Sequence, residues 1–257
     1  MADPFTELIP GVLVATAVPC TTTSTVVIGP ERSCLVIDPA FTAQEVAGLA
    51  AALGARGLRP VAGWATHPHW DHLLWHAGLG DVPRYATPVC ASTAVSWRED
   101  MLMTLASKPG HDQELFGVVT PLAATSIPWD GPAVQVIAHD AHAPGHGALF
   151  LPDSGVLIAG DMCSDIEMPL LDRDVPDPVG DYRTGLSRLA ATAGDVRFVV
   201  PGHGHVGDSA ELRRRIAADL AYLDAVERGE PAQDPRITGW LVAEHDAQLA
   251  YVRGLAR

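Results

Sequence analysis

The sequence predicts an α/β protein with helices packed outside β-sheets, and three observations support that class. Short β-branched runs bounded by turn residues alternate with helical periodicities in two successive halves of the chain. The ends of the predicted strands carry histidines and aspartates. At 257 residues and 47% hydrophobic, the chain can bury a sizeable core. One domain over residues 1–257 is expected, because α/β domains of this length are ordinary.

The first half begins with a hairpin, TVVI at 25–28 and CLVI at 34–37, broken by Gly29-Pro30 and ending on Asp38-Pro39. Thr42 is placed to cap the next helix, where Val46, Leu49, Ala50 and Leu53 share a face before Gly54 and Gly57 loosen its end. A strand over 61–66 delivers the chain to His67, putting a histidine cluster at a strand end where loops converge on ligands. Residues 92–105 read as a helix, and Lys108-Pro109-Gly110 with Gly117 as a mobile connection bordering a pocket.

The second half reads as strands at 134–138, 148–151 and 156–159, each ending near a histidine or aspartate. A helix over 181–193 and a strand over 197–200 lead to Pro201-Gly202-His203. A helix over 209–227, a loop through Pro231 and Pro235, and an amphipathic piece at 243–252 close the chain, with no internal repeat.

The composition, 19% charged and 6% aromatic, is that of a globular protein. A formal charge of -14 without a compensating Lys/Arg stripe opposes nucleic-acid binding. No apolar run reaches the roughly 20 residues of a membrane span. Asp3 and Glu7 stand where an export signal carries basic residues, so a cytoplasmic location, no membrane partner, and a monomer or homodimer are expected. Cys20, Cys34, Cys90 and Cys163 lack any C-x-x-C spacing and are expected to be small buried residues.

The segment Thr66-His67-Pro68-His69-Trp70-Asp71-His72 places four potential metal ligands within six residues. Imidazole nitrogens and carboxylate oxygens suit zinc, and three protein ligands with an open position make a catalytic site. One short loop cannot saturate two ions, so further ligands have to come from other strand ends.

The H-x-H-x-D-H run after a strand, the later histidine-bearing turn, Gly160-Asp161 and Pro201-Gly202-His203 together resemble the metallo-β-lactamase superfamily over nearly the whole chain. The resemblance implies an αβ/βα sandwich of two mixed sheets flanked by helices, with two metals in the cleft between sheet edges. It implies His67 and His69 as ligands of a first zinc, Asp71 and His72 as ligands of a second, Asp161 as a bridging carboxylate and His203 as the second ion's last ligand. For the first ion's third ligand, the segment 139–146 offers His139, His142 and His146. Counting back from Asp161 through two strands and a turn puts His142 in the family's ligand place, although Asp140-Ala141 replaces the usual Pro-Gly.

Two zinc ions are the expected cofactors, and iron or manganese suits the same ligands. A water shared by two such ions loses its proton near neutral pH, which implies a hydrolase of a small ester, lactone, thioester or amide. Asp71, beside the nucleophile, is the candidate catalytic proton carrier. The superfamily also implies two alternatives, an iron-dependent persulfide-oxidising enzyme and a non-catalytic binding relative. The missing export signal disfavours a β-lactamase role.

Other polar residues are expected in ordinary places. His146 and His205 are read as turn-bonded, His76 as a helix-surface residue, and His111 and His245 as solvated. Trp70 and Trp75 are expected to pack around the site. Asp38 either bonds the ligand loop or is a plain turn aspartate. Loops at 97–121 and 162–181 are expected to face the substrate.

Overall fold

In the computed structural model, which describes residues 3–255, the first half builds one sheet and its helices. Its elements are β1 (Phe5–Ile9), β2 (Val12–Thr16), β3 (Thr23–Ile28), β4 (Ser33–Ile37), α1 (Ala43–Ala55), β5 (Arg59–Trp64), β6 (Arg84–Ala86), α2 (Pro88–Ser96), α3 (Arg98–Ala106) and β7 (Thr120–Pro121). The second half contributes β8 (Gln135–His139), β9 (His146–Leu151), β10 (Val156–Gly160), α4 (Pro178–Ala190), β11 (Phe198–Pro201), β12 (Gly207–Asp208), α5 (Ser209–Glu227) and α6 (Leu241–Leu255).

Both sheets are mixed. The first runs β1 to β7 in sequence order, antiparallel up to β4 and parallel thereafter. The second runs β12-β11-β10-β9-β8, with only the β10–β11 pair parallel.

The two-residue period of the strands creates the layers. On β4, Leu35 and Ile37 enter a core shared with Leu149, Leu151, Val156 and Ile158 of the second sheet. The alternate residues Cys34 and Val36 face Val46, Leu49 and Leu53 of α1. On β9 and β10, Ala148, Phe150, Leu157 and Ala159 turn outward to α4 and α5, meeting Leu186, Leu189, Leu212 and Leu223. Strands buried on both faces read as continuous apolar runs, as CLVI and VLIAG do here. The result is the αβ/βα sandwich.

Local chemistry explains the element ends. Thr42 Oγ1 accepts from Glu45 N while Glu45 Oε2 accepts from Thr42 N, a reciprocal cap that starts α1. The expected helix over 92–105 is two helices, because the chain turns at Trp97 and restarts at Arg98. The β1–β2 hairpin was not anticipated; β1 is an edge strand with only Phe5 buried, so its apolar alternation is faint. The second strand of the second half, β9, starts two residues earlier than expected, at His146. Among the described residues no helix is long and apolar enough to cross a membrane.

Candidate metal centre

The ligand loop leaves β5 through Thr66, and Trp70–His72 form a single 3-10 turn. That turn places Asp71 and His72 in a group beside that of His67 and His69, with the His67 and His72 ring centroids 4.1 Å apart. The second sheet supplies the rest: His142 from the β8–β9 turn, Asp161 just after β10, and His203 just after β11. The structure brings all seven residues together. His67, His69, His142 and Asp161 form one group, and Asp71, His72 and His203 a second.

The distances are those of a ligand shell. His67 Nε2 and His142 Nε2 each lie 3.0 Å from His69 Nδ1, and 3.4 and 3.3 Å from Asp161 Oδ2. Around the second position, His203 Nε2 stands 3.2 Å from Asp71 Oδ2 and 3.4 Å from Asp161 Oδ2. His72 Nε2 is 3.2 Å from Asp161 Oδ1. Nitrogens 2.0–2.1 Å from a tetrahedral zinc stand about 3.3–3.4 Å apart. Asp161, grouped with the first set, also stands 3.2 and 3.4 Å from His72 Nε2 and His203 Nε2 of the second.

Hydrogen bonds on the far side of each ring decide which nitrogen faces inward. Thr66 Oγ1 donates to Asp38 Oδ2 (2.6 Å), so it accepts from His67 Nδ1 (3.0 Å). His72 Nδ1 donates to Asp38 Oδ2 at 2.8 Å, His142 Nδ1 to the Leu170 carbonyl at 3.2 Å, and His203 Nδ1 to the Cys20 carbonyl at 3.1 Å. With Nδ1 carrying the proton, each neutral ring presents a bare Nε2 to the interior. With their far sides so bonded, the four rings turn Nε2 toward the carboxylates of Asp71 and Asp161. His72 Nε2 and Asp161 Oδ1 have no hydrogen-bond partner, although both are buried. A divalent cation in each group satisfies these atoms, so the donor set fits two metals.

Electrostatics point the same way. Burial disfavours charge on His67 and holds it well below its ordinary range, and burial brings His69 down to about 3. Both are therefore neutral, as a ligand requires. Burial also opposes charge on His72 and His203, but Asp161 and Asp71 outweigh it and raise both. Without a metal, these two rings hold the protons that balance the carboxylates; a bound cation takes their place.

Two glycines make room. A Cβ at Gly202 would overlap Asp161 Oδ1, and at Gly160, φ +57, it would strike the His146 ring. Asp38 proves to be more than a turn residue: it accepts from Thr66 N at 2.9 Å as well, so one carboxylate holds both the loop entry and His72.

Several expectations need correction. His146 is not turn-bonded: its ring is buried in a stack behind His67, 5.0 Å from that ring and 4.5 Å from His139, whose Nδ1 accepts from Ala141 N. Neither ring nitrogen of His146 has a partner, because β9 pairing locks the ring between two others. His245 is buried, 3.2 Å from Tyr222 Oη, because α6 packs against α5. His76 caps a short turn by accepting from Gly78 N, and is not on a helix. Cys34, Cys90 and Cys163 are buried as expected, but Cys20 is exposed, in a left-handed loop beside His203. His205 is bonded not within its own turn but to Asp165, a residue distant in the chain, through Nδ1 at 2.9 Å.

The metal groups floor a cleft of about 560 Å³. Phe41, Trp70, Trp97 and Met101 line it from the first half of the chain; Glu167, Leu170, Leu171, Asp172, Arg173 and Asp174 line it from the second. Of the 97–121 segment only Trp97 and Met101 reach the cleft, whereas Trp240 and Glu244 at the α6 end were missed. Periodicity reads α6 as an ordinary amphipathic helix. Its contribution depends on buried Gln248, which bonds Leu171 N and the Pro169 carbonyl and so ties α6 to the cleft wall.

Comparison with known proteins agrees with this geometry. A chicken (Gallus gallus) acyl-coenzyme A thioesterase, MBLAC2, is 28% identical over 183 residues, covering 65% of this chain and 65% of its own. The chain thus spans just under two thirds of that relative's length. The solved sec-alkylsulfatase Pisa1 from Pseudomonas sp. superposes with a TM-score of 0.72 at 15% identity, covering 98% of this chain and 50% of the other. A β-lactamase domain protein from Burkholderia ambifaria gives 0.67 at 20% identity, covering 89% and 75%. A metallo-β-lactamase from Pontibacter korlensis gives 0.61 at 18%, covering 83% and 96%. At such identities these structures speak to the fold alone. The sequence profile described as the Metallo-beta-lactamase superfamily matches residues 18–203, most of the chain, and the protein belongs to that superfamily.

Proposed function

We propose that the protein is a two-zinc hydrolase of small acyl compounds, that is esters, lactones, thioesters or amides. The observation that carries this reading is the convergence of five imidazoles and two carboxylates, with His72 Nε2 and Asp161 Oδ1 lacking hydrogen-bond partners, on the floor of an aromatic-walled cleft. His67, His69 and His142 would hold one ion, Asp71, His72 and His203 the other, with Asp161 between them. Bound there, the metals would supply an activated water and polarise the substrate carbonyl. The thioesterase name of the chicken relative supports acyl transfer to water.

The chain's own groups orient and exchange protons. Asp38, Thr66 and the Leu170 and Cys20 carbonyls lock the imidazoles in their ligating tautomers. Asp71 faces the cleft with its side chain 10% exposed, and its Oδ2 rests against His203 Nε2. From there it passes a proton to the leaving group.

Two measurements test the proposal. Metal analysis of protein purified without added metal is expected to return two zinc per chain; iron with persulfide consumption would favour the oxidative branch. A panel of chromogenic esters, lactones and thioesters is expected to yield at least one substrate; complete inertness at full occupancy would support a binding role instead. Asp71→Ala should lower kcat by about a hundredfold or more even when metal content is restored. Unchanged turnover at full occupancy rules out the proton-carrying role.

A further inference from the structure

The charge of the cleft is one-sided. Among its lining residues are the carboxylates Glu167, Asp172, Asp174 and Glu244, besides the metal-centre aspartates, and of the chain's seventeen Lys and Arg only Arg173 is present. Arg173 is already engaged, with Nη1 3.1 Å from Glu244 Oε1. The nearby Lys108, the sole lysine of the chain, is held over the Trp70 and Phe41 rings at 4.7 and 5.4 Å. Asp172 and Asp174, by contrast, have no Lys or Arg partner among the described residues. Independently of these acids, the cleft is a ligand site. Asp161 lines it with its side chain only 6% exposed, and its buried Oδ1 has no hydrogen-bond partner. The aromatic and aliphatic wall of Phe41, Trp70, Trp97, Met101, Leu170 and Leu171 provides the complementary apolar surface.

We infer that the cleft selects acyl esters and thioesters with an apolar acyl group and an uncharged or cationic leaving group, and discriminates against polyanionic carriers such as coenzyme A. This rests on the acyl-hydrolase reading above and sharpens it. A carrier bearing several phosphate charges needs free Arg or Lys at the mouth, and this mouth has acids and one neutralised Arg. A quaternary ammonium meets the opposite situation, with Trp240, 60% exposed, at the rim and Asp172 and Asp174 among the lining residues. For a thioester, the water oxygen bonds to the carbonyl carbon as the carbon–sulfur bond breaks. The electron pair leaves on sulfur, and the water protons end on the thiol and the released acid.

The zinc-loaded enzyme should be assayed on one hexanoyl group carried by N-acetylcysteamine (neutral), thiocholine (cationic) and coenzyme A (polyanionic). At low salt, kcat/KM for the coenzyme A thioester is expected at least roughly tenfold below that of the neutral one, with the thiocholine ester highest. Added salt should narrow the spread. The double variant Asp172→Asn/Asp174→Asn should raise the coenzyme A to N-acetylcysteamine ratio. Equal or better turnover of the coenzyme A thioester, or a ratio unmoved by salt and by the double variant, overturns the inference. If none of the three is hydrolysed, the acyl-hydrolase reading fails instead. Quenching of the cleft tryptophans in titrations with the same compounds still reads the preference, and tighter binding of the polyanion refutes it.

Discussion

The metal centre and the cluster around Arg236 are both buried and both charged, yet their charges are balanced in different ways. Arg236, 8% exposed, spends its guanidinium within the protein. Nη1 donates to Asp219 Oδ1 at 2.6 Å and to the Ser164 and Glu167 carbonyls at 3.0 Å, while Nε and Nη2 reach Asp234. Of those three side chains only Asp219 Oδ2 lacks a partner among the described residues. At the sheet edges, by contrast, nitrogen lone pairs face one another at 3.0 Å and Asp161 keeps an orphaned oxygen. A cluster that balances its own charges is a structural clamp, here fixing the cleft wall at Ser164 and Glu167. One that leaves nitrogen and carboxylate donors facing one another is built for a guest.

That contrast can be broken most forcefully at Asp161. Asp161→Asn should abolish stoichiometric binding of the second metal and lower turnover by about a thousandfold, measured by metal content and kcat. If metal content stays at two per chain, Asp161 is not the shared ligand.

Arg236→Met should instead cost about 3–5 kcal/mol of stability by stranding Asp219, measured by denaturant unfolding, with metal content per folded molecule retained. Its pH dependence has a definite sign. Burial pushes the Asp219 carboxyl up to about 7 even beside Arg236, above its unfolded value. The folded state therefore keeps a proton that the unfolded chain releases. Stability of the variant should be greatest near the unfolded pKa and fall as pH rises through 7. A stability rising over that window contradicts the assignment.

Asp38→Ala should weaken metal affinity or activity by roughly 10–100-fold, because His72 loses the acceptor that holds its ring, although Asp38 touches no metal position. Retained affinity would show that the 3-10 turn alone orients His72. The smallest effect is expected from chelation. Removing the metals should lower the melting temperature modestly and reversibly while the two sheets persist by circular dichroism.

How much was legible beforehand follows from the range of each interaction. Helices α1 and α5 were readable because caps and four-residue spacings are local. The ligand loop was readable because its four donors are neighbours in the chain. His142 required knowledge of the family's register, since His139 and His146 carry the same side chain a few residues away. The separation of the three comes from β8–β9 pairing, which stacks two of them behind His67 and leaves the turn to present the third. The break at Trp97 and the arrival of Trp240 and Glu244 left no periodic trace.

By itself the sequence determined the α/β class, the layer-forming alternation of the strands and the kinds of donor available for a metal. These depend on spacing along the chain and on side-chain chemistry. Only the tertiary structure decided which donors meet, which nitrogen of each imidazole faces inward and which residues wall the cleft. Those outcomes depend on contacts between residues such as Asp38 and His72, or Leu171 and Gln248, whose proximity arises only when two sheets and their helices pack.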